Sequence, residues 1–272
     1  MADIIKLKVS DNDLVAKPKV DTVEEVIKVI EVPIAAESVD RILDRSVTEI
    51  TTDATKIGRY ALAYCDKLIT VNGPNVEILA ENALYYCTNL TTINMPNIKE
   101  LGTRSLYECA LQQEMAFPSL EVLNDGNFDY SKVEILNTPK LTTIKGRNFY
   151  RSRLQELKAP LLEVLPDHFM EEAHYLKRAV FKNCTSVGKE GFYSCGDKDT
   201  IIDLGHPETI GAEAFNYVRG DVYIRTPTLC AMTGPTEYFN GRFLVPASLV
   251  DAYKAAENWL DWADKIFAIE EE

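Results

Sequence analysis

The chain has 272 residues, 46% of them hydrophobic, enough to bury one large core or two ordinary ones. Its formal charge is −13, from 42 acidic against 29 basic residues, and a field of that sign repels phosphate backbones, so nucleic acid is excluded as the expected partner. No run of 18 apolar residues occurs, so no membrane span is expected.

The opening, MADIIKLKVSDNDLVAKPKV, sets acidic and lysine residues where a secretory leader needs an unbroken apolar stretch, so no signal peptide is expected. Localisation stays open: the chain is cytoplasmic as synthesised, with export by another route or inside an assembled particle as alternatives. Residues 1–50 do not repeat and read as an N-terminal cap or attachment segment. In DTVEEVIKVIEVP, Val23, Val26, Ile27 and Ile30 share a helical face behind a capping box of Thr22 and Glu25. The β-branched residues equally support a strand over 26–32.

From residue 51 to 228 the chain repeats. An apolar marker recurs at Ile57, Leu79, Leu101, Leu123, Ile144, Leu165, Val187 and Ile210. Four or five residues after each stands a large apolar residue: Leu62, Leu84, Leu106, Phe128, Phe149, Phe169, Phe192 and Phe215. Pro74, Pro96, Pro118, Pro139, Pro160 and Pro227 close units. A period of 21 to 23 residues lies in the leucine-rich repeat range. In each unit a middle stretch alternates, as in LTTINMP or LQELKAP, which predicts a strand with one buried face, stopped by a proline that has no N–H to donate. The remainder is too short for a long helix and suits one helical or 3₁₀ turn. Such units bury their apolar faces only by stacking. The expected fold is therefore an α/β solenoid of about eight units with a parallel sheet on one face, capped at both ends. Eight strands about 4.8 Å apart make a slab roughly 35–40 Å long.

Residues 229–272 read as the C-terminal cap. Ser248 and Asp251 form a capping-box pattern for a helix from Leu249. Leu249, Tyr253, Ala256 and Leu260 follow at helical spacing, and Trp259 and Trp262 are expected to seal the last repeat.

The order IG…AL…C..L..V…P from Ile57 to Pro74, with VGKEGFYSC (Val187 to Cys195) and IGAEAF (Ile210 to Phe215), resembles the BspA-type leucine-rich repeat. The segment FLVPASLVDAYKAAENWLDWADKIFAI is similar to the tail that often closes such arrays. The resemblance covers roughly residues 50 to 228. It implies a solenoid and a role among bacterial surface and host-contact proteins or phage and prophage structural proteins.

Catalytic chemistry has little to stand on. Cys65, Cys87, Cys109 and Cys195 fall in one column, which Ser131 and Ser152 take over in units four and five, so a small buried residue is expected there and not a metal ladder. Six cysteines without a CxxC pair predict neither a disulfide framework nor a structural zinc. Gly58, Gly102, Gly188 and Gly211 follow the marker and are expected to serve a tight turn. The stretch DHFMEEAH brings together Asp167, His168, Glu171 and His174, the best candidates for a metal-dependent hydrolase, but without the HExxH order. No catalytic residue, metal ligand or cofactor is expected.

Two surfaces remain as candidates. Alternation turns outward Thr70 and Asn72, Thr92 and Asn94, Glu114 and Ala116, Ile135 and Asn137, Glu156 and Lys158, Arg178 and Val180, Ile201 and Asp203, and Tyr223 and Arg225. The face is mixed, and more charged from Glu156 onward. The turns carry Tyr64, Tyr85, Tyr86, Tyr107, Tyr130, Tyr150, Tyr193 and Tyr217, which either contact a partner or close the core with their hydroxyls in water. The expected function is recognition or assembly, with a protein or glycan as partner. The alternative is a virion component attached or oligomerised through residues 1–50.

Overall fold

The computed structural model describes residues 45–270 and, before them, the backbone of two strands, Ile5–Lys8 and Lys28–Val32. The capping box of Thr22 and Glu25 lies outside the described residues. Lys28–Val32 follows the strand option and pairs in parallel with Glu49–Thr52.

Each unit contributes a strand of three or four residues and, farther along, a two-residue strand ending at the marker. The longer strands form one parallel ladder from Glu49–Thr52 through Thr70–Asn72 to Thr92–Asn94. A second runs from Glu114–Ala116 through Arg178–Phe181 and Arg242–Val245 to Ile266–Ala268. The break between the two falls where Leu111 comes two residues after Cys109, whereas Leu90 comes three after Cys87. Phe117, ahead of Pro118, is buried as Met95 is ahead of Pro96. The markers form a second set of short parallel strands, for example Ile78–Leu79 on Glu100–Leu101 and Thr209–Ile210 on Ala231–Met232. Among the described residues helix is confined to the C-terminal end.

The segment after each marker is not a 3₁₀ turn. Residues three and seven after the marker are left-handed in most units: Tyr60 and Tyr64, Asn82 and Tyr86, Arg104 and Glu108, His168 and Glu172, Glu190 and Ser194, Glu213 and Tyr217. Each reversal of hand turns every second peptide outward along the stack. Ala61, Ala63 and Cys65 therefore donate to Gly58, Tyr60 and Leu62 within the unit, whereas Tyr60, Leu62 and Tyr64 donate to Glu81, Ala83 and Tyr85 of the next. A non-glycine residue in this region costs about 1–2 kcal/mol, and the bond it releases between units returns a comparable amount.

The core is one continuous column. Phe128, Phe149, Phe169, Phe192, Phe215 and Phe243 lie 5.7–5.9 Å from ring to ring, all buried. The cysteine column packs beside it: Cys87 Sγ donates to Leu62 O and Cys109 Sγ to Leu84 O, each one unit back. Ser131 Oγ takes the N–H of Val133 in the same place. Gly102, Gly188 and Gly211 have ordinary φ values, so close approach and not turn geometry requires them. A Cβ on Gly102 would stand 2.6 Å from Ala80 C.

At the C-terminal end Trp259 is buried, its Nε1 donating to Cys230 O at 2.9 Å, and Tyr253 Oη accepts from Cys230 N at 3.0 Å. Trp262 lies edge-on to Phe239. The helix runs Val250–Ala255, and no side-chain bond caps it, because a 3₁₀ turn at Ala247–Leu249 already covers its start, so Ser248 and Asp251 do not form the expected box. Leu260 is 61% exposed, since the chain leaves the helix at Ala256 and the spacing no longer carries it inward.

Candidate functional site

The outward strand positions form two registered columns. Thr70 stands beside Thr92, Asn72 beside Asn94, Ile135 beside Glu114 and Glu156, and Arg178 between Glu156 and Ile201. In the second column Asn137 lies between Ala116 and Lys158, exposed as its place in the alternation requires. None of the sixteen residues expected outward is buried. At the end of the array pairing sets Asp221 against Ile201 and Tyr223 against Asp203, so Asp221 and Tyr223 are the equivalent pair, in place of Tyr223 and Arg225. Arg225 lies one pleat farther and folds back onto Asp203 in a two-pronged contact of 2.7 and 3.0 Å. Asp221, held likewise by Arg242, escapes a reading that aligns the unit by Pro227 and not by its strand. Asn72 and Asn94 are tied in a ladder, Asn94 Nδ2 to Asn72 Oδ1 at 2.6 Å and Asn72 Nδ2 to Glu49 Oε1 at 2.8 Å.

A cleft of about 400 Å³ opens on this face over units four to six, walled by Pro139, Pro160, Glu156, Lys158, Arg178 and Lys182. Asn137 also lines it, which joins the uncharged part of the face to the charged one.

The tyrosines lie outside the core, which the leucines and phenylalanines already close. They form a ridge: Tyr64, Tyr85, Tyr86, Tyr107, Tyr130 and Tyr150 follow one another with ring centres 4.7–6.0 Å apart. Arg45, Arg104, Arg147 and Arg151 lie against Tyr64, Tyr107 and Tyr150, with Arg147 4.0 Å from the Tyr150 ring centre. Burial pushes the Tyr107 phenol up to about 12 and raises that of Tyr85, and a bond to Glu108 raises that of Tyr86. A second group, Tyr193, Tyr217 and Tyr238, stacks beyond a gap.

Glu171 and Glu172 fill that gap, in the columns that hold tyrosine elsewhere. Asp129 is buried and accepts from Tyr150 N at 2.9 Å and from Arg147. Burial raises its carboxyl above the ordinary range despite those donors. Arg147 also reaches Glu171 at 3.7 Å. His168 Nδ1 stands 3.3 Å from Glu171 and 3.5 Å from Glu190, within no hydrogen bond. Among the described residues, His168, Glu171 and Glu190 are the group that could hold a metal ion, their ligand atoms all within 4.8 Å of one another. Arg147 and Lys189, the latter 3.0 Å from Glu190, already bring positive charge to both carboxylates. The four candidates of DHFMEEAH are not gathered: Asp167 accepts from Lys189 N, and His174 turns to Ser194 O. Glu190 belongs to the next unit, in the column of His168, and only alignment of the repeats would reveal it.

The six cysteines are free and buried, and burial lifts the thiols of Cys65, Cys184 and Cys230 to about 12, which disfavours the reactive thiolate at these three.

Stacked short units, parallel ladders and a continuous core define a repeat solenoid. The profile of the BspA type leucine rich repeat region matches in six copies, over residues 55–177 and 116–220, and the chain belongs to that family. Among solved structures it is similar to a leucine-rich repeat protein from Bacteroides ovatus (16% identity, 89% of this chain and 92% of the other, TM-score 0.31). It is also similar to a leucine rich cell surface protein from Faecalibacterium prausnitzii (13%, 93% and 85%, 0.33) and to the pneumococcal vaccine antigen PcpA (12%, 91% and 85%, 0.32). No curated protein matches it in sequence. No helix among the described residues is long and apolar enough to cross a membrane.

Proposed function

We propose that the chain is a non-enzymatic recognition protein whose tyrosine ridge binds another protein. The observation that carries this reading is the unbroken run from Tyr64 to Tyr150, half-exposed and braced by arginines. Tyrosine and arginine are the residues most enriched where binding energy concentrates, and rings already ordered by their neighbours lose little freedom on contact. A glycan needs a free flat ring face. Here Tyr64 stacks on Tyr86 and Tyr85 on Tyr107, while Tyr130 meets Tyr107 and Tyr150 at 76° and 88°, so ring faces along the ridge are taken up by neighbouring rings, which suits a protein better. The test is selection of binders from a displayed peptide library, counter-screened on Tyr85→Ser/Tyr107→Ser. Peptides that bind the native chain and not the variant support the reading; an identical set on both sinks it.

A second reading, a virion or other assembly component attached through residues 1–50, is supported by one feature. Strands Ile5–Lys8 and Lys28–Val32 extend the parallel ladder to an edge where a further strand could add. Light scattering on the full chain and on one beginning at Ser46 tests it: an oligomer that becomes a monomer on truncation supports it, and two monomers remove it.

A further inference from the structure

We infer that the cleft over units four to six binds an extended acidic peptide. This rests on the recognition reading and adds a second face with a named ligand chemistry. In a chain of net charge −13, this cleft collects Lys158, Arg178 and Lys182 against the single acid Glu156. Glu156 is engaged by Lys158 at 3.4 Å. Arg178 and Lys182 make no ion pair among the described residues, although both are exposed. Elsewhere on the same face the arginines are spent: Arg225 on Asp203 and Arg242 on Asp221.

Spacing selects the ligand. Arg178 and Val180 point outward from the strand Arg178–Phe181, and Lys182 follows, exposed, in the turn just beyond it, while Ala179 and Phe181 are buried. From Arg178 to Lys182 is about 13 Å at the strand rise of about 3.3 Å per residue. An extended peptide lying along the strand shows its own alternate side chains at half that spacing, so carboxylates four residues apart meet the two cations in register, with the apolar residue midway between them over Val180. The site is pre-formed. Pro139 and Pro160 stiffen the wall, Asn183 Nδ2 holds Pro160 O at 3.0 Å, and the Lys182 carbonyl packs against Gly205 too closely to admit a Cβ there. A uronic-acid glycan shares the charge, but no aromatic ring lines the cleft for a sugar to stack on, so the peptide is favoured.

The experiment is fluorescence polarisation of a labelled hexapeptide Glu-Ser-Val-Ser-Glu-Ser, and of its counterpart with both glutamates replaced by glutamine, on the full chain and on Arg178→Gln/Lys182→Gln. The glutamate peptide should bind at least about tenfold tighter than the glutamine one and weaken as salt rises from about 0.02 to about 0.2 M. It should lose about tenfold or more in the variant, whose circular dichroism should match the native chain. Equal binding of both peptides, or an unchanged affinity in the variant, overturns the inference. Displacement by oligogalacturonate at lower concentration than by unlabelled peptide overturns it too, by making a glycan the occupant. Neither substitution touches the tyrosine ridge, so failure here removes the cleft alone, and the peptide selection decides the recognition reading separately.

Discussion

Phe149→Ala strikes the middle of the phenylalanine column. The ring is fully buried, stacked on Phe128 at 5.9 Å and edge-on to Phe169 at 5.9 Å. Emptying such a site costs about 3–5 kcal/mol, and loss of two aromatic contacts, each worth about 0.5–1.5 kcal/mol beyond area, argues for the upper half of that range. Phe149→Leu should cost only about 1–2 kcal/mol, because units one to three carry leucine in the same column. In a stacked array the damage stays at the interfaces of the altered unit, so the variant should unfold in two stages. The assay is guanidinium unfolding followed by far-ultraviolet dichroism, which sees the whole ladder, and by fluorescence of Trp259 and Trp262, which report only the C-terminal end. The two curves should coincide in the native chain and separate in Phe149→Ala. A loss below about 1 kcal/mol, or leucine as costly as alanine, would refute the single stacked core.

Three further outcomes are expected. Gly102→Ala sets a Cβ 2.6 Å from Ala80 C and 2.7 Å from Glu81 N, so the units must part, costing about 1–3 kcal/mol in the same assay. Folding raises the Tyr107 phenol from 10.0 to about 12, so its stabilising contribution is complete below pH 10 and is lost as pH rises toward 12. Titration at the tyrosinate absorbance should show a late phase near pH 12 to which Tyr107 and the buried Tyr253 both contribute, and Tyr107→Phe should reduce its amplitude by about half; an undiminished late phase in that variant would contradict the assignment. The buried thiols should resist Ellman's reagent in the native chain and react only after unfolding, all six together; fast reaction of any one beforehand would show that the cysteine column is not closed.

Much of this is legible in the sequence because stacking repeats every constraint. The column from Leu62 to Phe215 must be apolar in each unit, and the exchange of Cys109 for Ser131 betrays a small buried position in both directions. The strands are legible for the same reason, since Thr70 and Asn72 flank a buried Val71 and Ile135 and Asn137 flank a buried Leu136. What the sequence hides has physical causes. Left-handed backbone is usually signalled by glycine, but here Tyr64, Tyr86 and Glu190 adopt it, because bonds between units offset the strain, so the turn reads as 3₁₀. The pair Asp221 and Arg242 is hidden by a final unit whose proline is displaced from its strand. His168 and Glu190 are 22 residues apart and meet only because one unit stacks on the next. The pattern of Ser248 and Asp251 is present, but a turn ahead of the helix takes its place.

The central claim is that recognition runs along the tyrosine ridge. It is tested most directly by carbene footprinting of the full chain with and without a selected peptide ligand. Protection confined to Tyr64, Tyr85, Tyr86, Tyr107, Tyr130 and Tyr150 and the arginines against them is the expected result. Protection at the strand edges or the C-terminal end, with these tyrosines labelled as before, would contradict it.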